Sequence, residues 1–404
     1  MTTKLRKTAI PFAASITLAS ALAACSSPAG EASSGDEFRI VGTGPLTGPA
    51  SSYGISNQQG AELAVEDVNE SGDLPFELTL EFEDDKCDAA GAASAYRKIV
   101  AATPDIIYGG ACSPSAIVIA DNAERDKRVF LNTAATADVL VDPPRTYVFS
   151  TQISASDEAQ QLVELLAAEY SPETVGFAYS ANDYGQGAVD AAKEIYAEDF
   201  PDVEITADVS FPLGTTNFRS GLVKVKEANP DVVLVVGSGA DPGEMVRQAK
   251  DLGVTSQFAG YAGLFSVASV RAAGDALADV TGTFYTPNAI RSDSDNAEIA
   301  SFAKRYKEKY GEFPDQLAVQ GYHGILVLTE ALKDLGRTPE DQDELVEALE
   351  SVKDFEDGYY PAVTFGPDDR VGTEEMVLIR LLPGREEKTS VWGEFEIINP
   401  RESE

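Results

Sequence analysis

The stretch "FRIVGTGPLTGPASSYGISNQQGAELAVEDVNESG", residues 38–72, contains a strand pattern, a glycine-rich turn and a helix pattern, in that order. Its start, FRIVG, is a short apolar run of the kind that forms a strand in a parallel sheet. Further along, Ala61, Ala64, Val65 and Val68 fall on one helical face, and Gly72 marks the end of that helix. The stretch therefore predicts one β-α unit.

The unit repeats along the chain in two series. In the first, FELTLEFE precedes a helix pattern with Asp88 as its predicted N-cap, and DIIY precedes a helix pattern over 115–125. The second series begins near Ser156 and contains the strand-like runs TVGFAY, VEITADV and DVVLVVG. Such repetition gives parallel sheets with helices on both faces. We predict an α/β protein with two doubly wound parallel-sheet lobes joined by a multi-strand hinge.

The first 25 residues predict export. A basic start is followed by an apolar stretch from Ile10 to Ala24, which is short for a membrane span and typical of a secretory signal. The stretch ends in Leu22-Ala23-Ala24-Cys25, which resembles a bacterial lipobox, in which the cysteine is lipidated and becomes the new N-terminus. Two or more acyl chains would hold a domain firmly on a membrane. The alternative is an ordinary cleaved signal with an incidental cysteine.

The predicted division of the chain follows from these patterns. Residues 1–24 are a lipoprotein signal peptide and 25–37 a flexible tether. Residues 38–153 with 285–360 form the N-terminal lobe, and 154–284 with 361–400 the C-terminal lobe. No linker-like stretch separates the lobes, so their boundary must be a set of strand crossings.

Charge limits the partners of the exported chain. The full chain has a formal net charge of −36, and loss of Lys4, Arg6 and Lys7 with the signal gives −36 − 3 = −39, which would repel nucleic acid and anionic lipid, so neither is an expected partner. Membrane contact is expected through the lipid anchor only. We predict a monomer, anchored on the outer face of the cytoplasmic membrane, which is the periplasmic side where the host has an outer membrane.

The two other cysteines, Cys87 and Cys112, each follow a predicted strand. Outside the cytoplasm a remaining pair tends to be oxidised. If the two strands are parallel neighbours, both cysteines lie at carboxyl ends within disulfide reach. Two free buried thiols are the alternative. A metal site is not expected, because the chain has one histidine and no paired CxxC motif.

Glycine- and serine-rich stretches follow the predicted strands in both series. In doubly wound sheets, ligands bind in the crevice beyond the carboxyl ends of the strands. The stretches are GTGPLTG, GGACSPSA, LNTAATAD, SANDYGQG, VGSGADPG and GYAGLF. Two such crevices facing each other would form a cleft between the lobes.

The sequence argues against an enzyme. The single histidine, His323, falls within a predicted helix, where a packed or partly exposed role is expected. No GxSxG elbow, HExxH motif or phosphate-binding loop occurs. No catalytic residue, cofactor or resident metal is therefore predicted.

Several motifs in this order resemble one family. They are GPLTGPASSYG with GAELAVEDVN, EDDKCDAAGAASAYRKIV, CSPSA, NTAATAD, NDYGQG and DQLAVQGYHG. Over Phe38 to Ile398 the chain resembles the branched-chain amino-acid-binding family of extracytoplasmic solute receptors for ABC importers, which have a type I two-lobed binding fold. The Cys87–Cys112 spacing is also similar to the disulfide of that family.

The resemblance implies a site for a ligand carboxylate on the first lobe. Ser113, with Ala134, Ala135 and Thr136, would supply hydroxyls and backbone N–H groups. Ser113 is alternatively a helix cap, and Thr136 alternatively a turn residue. Tyr53 and Tyr184 match aromatic positions around the ligand, although either is equally explained by packing.

The second lobe departs from the family pattern. In QFAGYAGLF, beside Tyr261, Ala262 stands where the family has a glutamate that pairs with the ligand ammonium. A family tyrosine is missing at or next to Ser238. Asp241 or Asp183 would have to supply the negative charge, since a buried ammonium needs a partner. Equally consistent is an aromatic or aliphatic acid with no ammonium.

These expectations define the predicted function. The chain is predicted to be a lipid-anchored solute-binding protein of an ABC importer, with an ABC permease as its partner. The predicted ligand is a branched-chain type of amino acid or a related small carboxylate, held between two closing lobes. The alternatives are a receptor for a carboxylic acid without an ammonium and a ligand-sensing subunit of a signalling system.

Overall fold

The computed structural model describes residues 37–284, 291–373, 376–382 and 395–398. The predicted signal peptide, the predicted lipidation site Cys25 and nearly all of the predicted tether lie outside these residues. Among the residues described, no helix is both long enough and apolar enough to cross a bilayer.

The first sheet is built from five parallel strands in the order β2-β1-β3-β4-β5. Their bounds are β1 Glu37–Gly44, β2 Glu77–Asp84, β3 Ile106–Gly109, β4 Phe130–Asn132 and β5 Val148–Ser150. The intervening helices are α1 Ser51–Ser71, α2 Ala89–Ala101 and α3 Ser113–Asp126. The predicted cap of α2 is confirmed, because the Asp88 carboxylate accepts from the Gly91 N–H at 2.7 Å.

The second sheet repeats this order and then extends it. Strands β7-β6-β8-β9-β10 are parallel, and β11 and β12 join the β10 edge as antiparallel strands. Their bounds are β6 Thr174–Ser180, β7 Glu204–Phe211, β8 Val232–Val236, β9 Gln257–Gly260, β10 Thr281–Phe284, β11 Val377–Leu381 and β12 Phe395–Ile398. The helices of this series are α4 Ala155–Tyr170, α5 Asp183–Asp199, α6 Arg219–Ala228, α7 Asp241–Asp251 and α8 Val267–Ala273. The prediction of two doubly wound, mainly parallel lobes is confirmed.

After β10 the chain returns to the first lobe. Helices α9 Ala297–Tyr310, α10 Gln316–Lys333 and α11 Gln342–Glu350 follow one another there. Helix α10 crosses α1 so closely that a Cβ at Gly60 would lie 1.8 Å from the Ala318 carbonyl oxygen. The nearly continuous apolar pattern of α10 is explained by burial on most of its circumference.

Residues 361–373 contact the first sheet. Val371 forms a parallel bridge with Ser150 at the end of β5, and the Arg370 guanidinium lies 4.4 Å from the Phe149 ring centre. These contacts favour assigning 361–373 to the first lobe, whereas β11 and β12 of the predicted segment 361–400 join the second sheet. The domain boundaries otherwise stay a prediction.

The disulfide between Cys87 and Cys112 is present, with the two Cα atoms 5.4 Å apart. The sequence analysis expected this disulfide if the two preceding strands were neighbours. They are not neighbours, since β1 lies between β2 and β3. The loops beyond the strands reach across the end of β1 and bring the cysteines together. Beside them lie Ala50 and, from the second lobe, Leu213.

Candidate functional site

The carboxyl edge of the first sheet forms one wall of a cavity between the lobes. Ser113 is the first residue of α3 and is 2% exposed. The N-cap of α3 is Cys112, so the alternative role of Ser113 as the cap does not apply. The serine hydroxyl is thus placed at a helix N-terminus that follows a buried strand, where donors favour an anion.

The turn after β4 is held by Asn132. Its amide donates to the Ala135 carbonyl at 2.7 Å and accepts from the Ala135 N–H at 3.1 Å. This fixes Ala134, Ala135 and Thr136 at the edge of the sheet. The Thr136 hydroxyl is buried, and no described residue hydrogen-bonds to it. A buried hydroxyl of this kind is available to donate to a ligand.

The opposite wall comes from the second lobe. Ser238 follows β8, and Ala262 and Gly263 follow β9. Tyr184, in the first turn of α5, also lines the cavity. The fifth residue of this wall is Glu158 of α4, which is 1% exposed and was not singled out from the sequence.

The cavity has a volume of about 40 Å³. One water needs roughly 10–15 Å³, so the cavity is large enough to hold water, and the protein's own side chains do not fill the space between the two walls. Eight of the ten predicted ligand residues line it. They are Tyr53, Ser113, Ala134, Ala135, Thr136, Tyr184, Ser238 and Ala262, together with Ala111, Cys112, Glu158, Gly263, Gln316, Leu317 and Gln320.

The remaining two predicted residues do not line the cavity. The Asp241 carboxylate turns to the loop after β7 and accepts from the Gly214 N–H at 2.8 Å. Burial raises the pKa of Asp241 to about 6. Tyr261 packs in the core of the second lobe, with its hydroxyl donating to the Ala188 carbonyl at 3.2 Å. Asp183, the other acid considered, is exposed at the start of α5.

Three polar residues of the site escaped the sequence analysis. Gln316 and Gln320 lie four residues apart at the start of α10, in the motif DQLAVQGYHG that carries part of the resemblance, and this spacing places them on one helical face. Their position could have been suspected from that motif. Glu158 offers no such signal, because an acid in the first turn of a helix is explained by the helix dipole alone.

The lobes contact each other around the cavity. The Tyr53 hydroxyl lies 3.2 Å from the Gly263 carbonyl oxygen and 3.4 Å from that of Gly237. Burial raises the pKa of Tyr53 well above its ordinary value, so the hydroxyl is a neutral donor. Pro49 of the first lobe packs on Gly214 and Gly239 of the second. The two rims therefore meet beside the cavity.

The two sheets face each other across a cavity. Hydroxyl donors lie on one side of it and a carboxylate on the other. This arrangement is that of a two-lobed solute-binding protein. Comparison with known proteins agrees with this class. A family model described as "Periplasmic binding protein" matches residues 37–386, and the chain belongs to this family, in its branched-chain amino-acid type. It is a binding protein of the kind that serves transporters and not an enzyme.

Several individual proteins are similar to this chain. A leucine-, isoleucine-, valine-, threonine- and alanine-binding protein of Pseudomonas aeruginosa is 26% identical over 78% of this chain and 82% of its own length. A branched-chain amino acid transporter substrate-binding protein of Streptococcus pneumoniae, solved with isoleucine, is 22% identical with a TM-score of 0.75, covering 90% of this chain and 100% of that one. A solute-binding protein of Rhodopseudomonas palustris, solved with 3,4-dihydroxybenzoic acid, is 20% identical with a TM-score of 0.75 over 91% and 99%.

Proposed function

We propose that this chain captures a small carboxylate of the amino-acid type between its two lobes and delivers it to an ABC permease. The observation that carries the proposal is the first wall, where Ser113 and Thr136 line the cavity and the Thr136 hydroxyl is buried with no partner among the described residues. Donors at strand ends and helix N-termini bind an anion without a full positive charge. The named ligands of the Pseudomonas relative are branched-chain and small amino acids, which supports this class.

Thermal unfolding of the full chain tests the ligand class. Branched-chain and small amino acids, the same carbon skeletons without the ammonium, and neutral sugars are compared as ligands. A ligand present at 100 times its Kd adds about 2.7 kcal/mol to the free energy of unfolding. We expect stabilisation by at least one carboxylate and none by the sugars. Stabilisation by sugars alone would contradict the proposal.

A receptor for a carboxylic acid without an ammonium is the second candidate. Two observations favour it: Ala262 stands where the family has an acid, and the Rhodopseudomonas neighbour holds an aromatic acid. The same screen separates the two candidates, because it includes each skeleton with and without its ammonium.

We propose further that Cys25 is lipidated and anchors the exported chain. The proposal is supported by the apolar stretch before this residue and by the small polar stretch after it. In a bacterial host fed a clickable fatty acid, the chain is expected to be labelled and to sediment with membranes. Cys25→Ala should abolish the labelling. A wild-type chain that is exported without label would contradict lipidation and leave the ligand proposal intact.

A further inference from the structure

Glu158 is a buried acid that belongs to the wall of the second lobe. It lies in the first turn of α4, and its carboxylate crosses to the edge of the second sheet. Its Oε1 atom accepts from the Thr283 hydroxyl at 2.6 Å and from the Ala262 N–H at 3.4 Å. These bonds fix the carboxylate beside the cavity.

The contact with Ala262 is informative. The family pattern places an acid on this residue, and the chain has only a methyl group there. In the structure, a carboxylate from another element is hydrogen-bonded to the backbone of this same residue. The negative charge missing from the loop after β9 is therefore present at nearly the same place, supplied by a helix about a hundred residues earlier in the chain.

Two amide oxygens on the first lobe add to the acceptors. Gln152 donates through its Nε2 atom to the Thr151 carbonyl, so its Oε1 atom is turned to accept. Gln320 donates its Nε2 to that oxygen at 2.7 Å. This orientation leaves the Gln320 Oε1 atom as an acceptor, and no described residue bonds to it or to the Oε1 atom of Gln316.

The cavity thus has a polar asymmetry. The first lobe carries the hydroxyl donors, Ser113 and Thr136, and also the two amide oxygens, whereas the second lobe carries the Glu158 carboxylate. No lysine, arginine or histidine occurs among the described residues that line it. A ligand that carries both an anion and a cation complements this pattern, and an ammonium with its three N–H donors suits the acceptors.

We propose that Glu158 is the acid that recognises the ammonium of the ligand, and that it selects α-amino acids over the same acids without an ammonium. The inference rests on the proposed function and makes it narrower. Replacement of the carboxylate should therefore discriminate between two ligands of the same shape. A purely structural role for Glu158 would affect both ligands equally.

The test measures Kd by calorimetry on the full chain with pairs of probes. Leucine, isoleucine, valine, threonine and alanine are each paired with the corresponding acid lacking the ammonium. We expect the best amino acid to bind wild type roughly 100-fold more tightly than its partner acid, and Glu158→Gln to weaken the amino acid by roughly 30-fold or more. The affinity for the partner acid should change by less than about 3-fold.

Two further variants keep the test interpretable. Glu164→Gln alters an exposed acid on the same helix and should leave both affinities unchanged. Adding Ala262→Glu to Glu158→Gln returns the acid to the loop and should restore amino-acid binding by at least about 10-fold. Rescue by this change is expected only if the role of Glu158 is to place charge at the cavity.

The outcomes distinguish this inference from the proposed function. Tighter binding of the acids without an ammonium, or amino-acid binding by Glu158→Gln at wild-type strength, would overturn the role of Glu158 while keeping a carboxylate receptor. Absence of binding by both members of every pair would overturn the carboxylate function and this inference together. A Glu158→Gln variant that weakens both probes equally would make the residue structural and also reject the inference.

Discussion

The two walls of the cavity are built in different ways. The wall from the first lobe consists largely of residues that directly follow strands, such as Ser113 after β3 and Thr136 after β4. The wall from the second lobe combines strand-end residues that lack charge, Ser238 and Ala262, with Glu158 from a helix. A rim of parallel strands can thus be recognised from local motifs, whereas a charge delivered by a helix depends on packing.

The largest loss of ligand affinity is expected from a substitution at the contact between the two walls. Gly239 has a φ of +65°, and a Cβ on it would lie 2.4 Å from the Pro49 carbonyl oxygen on the opposite lobe. Overpacking costs roughly 1–3 kcal/mol, and here it falls on the closed arrangement of the lobes. Gly239→Ala should therefore weaken ligand binding by up to roughly 150-fold in calorimetry.

Gly253→Ala is the matched control for this change. Gly253 also has a positive φ, +81°, but its nearest neighbour would be the Lys226 Nζ atom at 3.7 Å, within the same lobe. Both variants should lose about 1 kcal/mol of stability from the left-handed backbone. Only Gly239→Ala should lose affinity. Equal affinities in the two variants would show that the contact at Pro49 is not needed for binding.

The next largest loss of affinity is expected from a substitution on the first wall, and it tests whether the two walls bind different groups of the ligand. Thr136→Val removes the hydroxyl that is buried without a partner among the described residues and keeps the shape of the side chain. A hydrogen bond to a charged group is worth about 1.5–3 kcal/mol, so the affinity should fall roughly 10-fold or more. The loss should be the same for an amino acid and for its partner without the ammonium, unlike the selective loss expected at Glu158.

Thr133→Val serves as the comparison, because the Thr133 hydroxyl is already bonded to Asn57 and to the Gly109 carbonyl. This variant should lower the melting temperature more than the affinity. Binding by Thr136→Val as tight as that of wild type would remove Thr136 from the site.

The sequence predicted the two walls unequally, and the reason is physical. Segments after the strands of a parallel sheet converge on one edge whatever the packing of the helices, so Ser113, Thr136, Ser238 and Ala262 could be placed together. Glu158 could not, because its contact with Ala262 depends on how α4 packs across β10. The lobe that β11 and β12 join was predicted, but their antiparallel direction was not, since the repeated β-α pattern indicates only parallel strands.

A smaller loss of affinity is expected from a substitution of Tyr53, whose side chain reaches from the first wall to the second. Tyr53→Phe removes the hydroxyl that reaches the Gly237 and Gly263 carbonyls of the opposite lobe. Loss of a neutral hydrogen bond costs about 0.5–1.5 kcal/mol, which should weaken binding roughly 2- to 10-fold. Tyr306→Phe, whose hydroxyl bonds to Gln59 within the first lobe, should change stability and not affinity. Similar affinities in the two variants would argue that Tyr53 does not help to close the cavity.

The smallest change in affinity is expected from a substitution of Asp241. This result would eliminate Asp241 as the acid that binds the ammonium and leave Glu158. Asp241 was the sequence-based choice, yet its carboxylate bonds to the Gly214 N–H and does not line the cavity. Asp241→Asn can keep this bond and should change ligand affinity by less than about 2-fold. Loss of amino-acid affinity with the partner acid unaffected would instead assign the ammonium site to Asp241 and reject Glu158.

The difference in stability between Asp241→Asn and wild type should nevertheless depend on pH in a definite direction. The pKa of Asp241 is raised by burial to about 6, against about 3.9 in an unfolded chain. Between these values the native state holds more protons than the unfolded state, so wild type loses stability as the pH rises through this window. The variant does not titrate there. Denaturation at pH 4 and pH 7 should therefore show its stability relative to wild type rising by roughly 2–3 kcal/mol, while its affinity for the ligand stays that of the wild-type site.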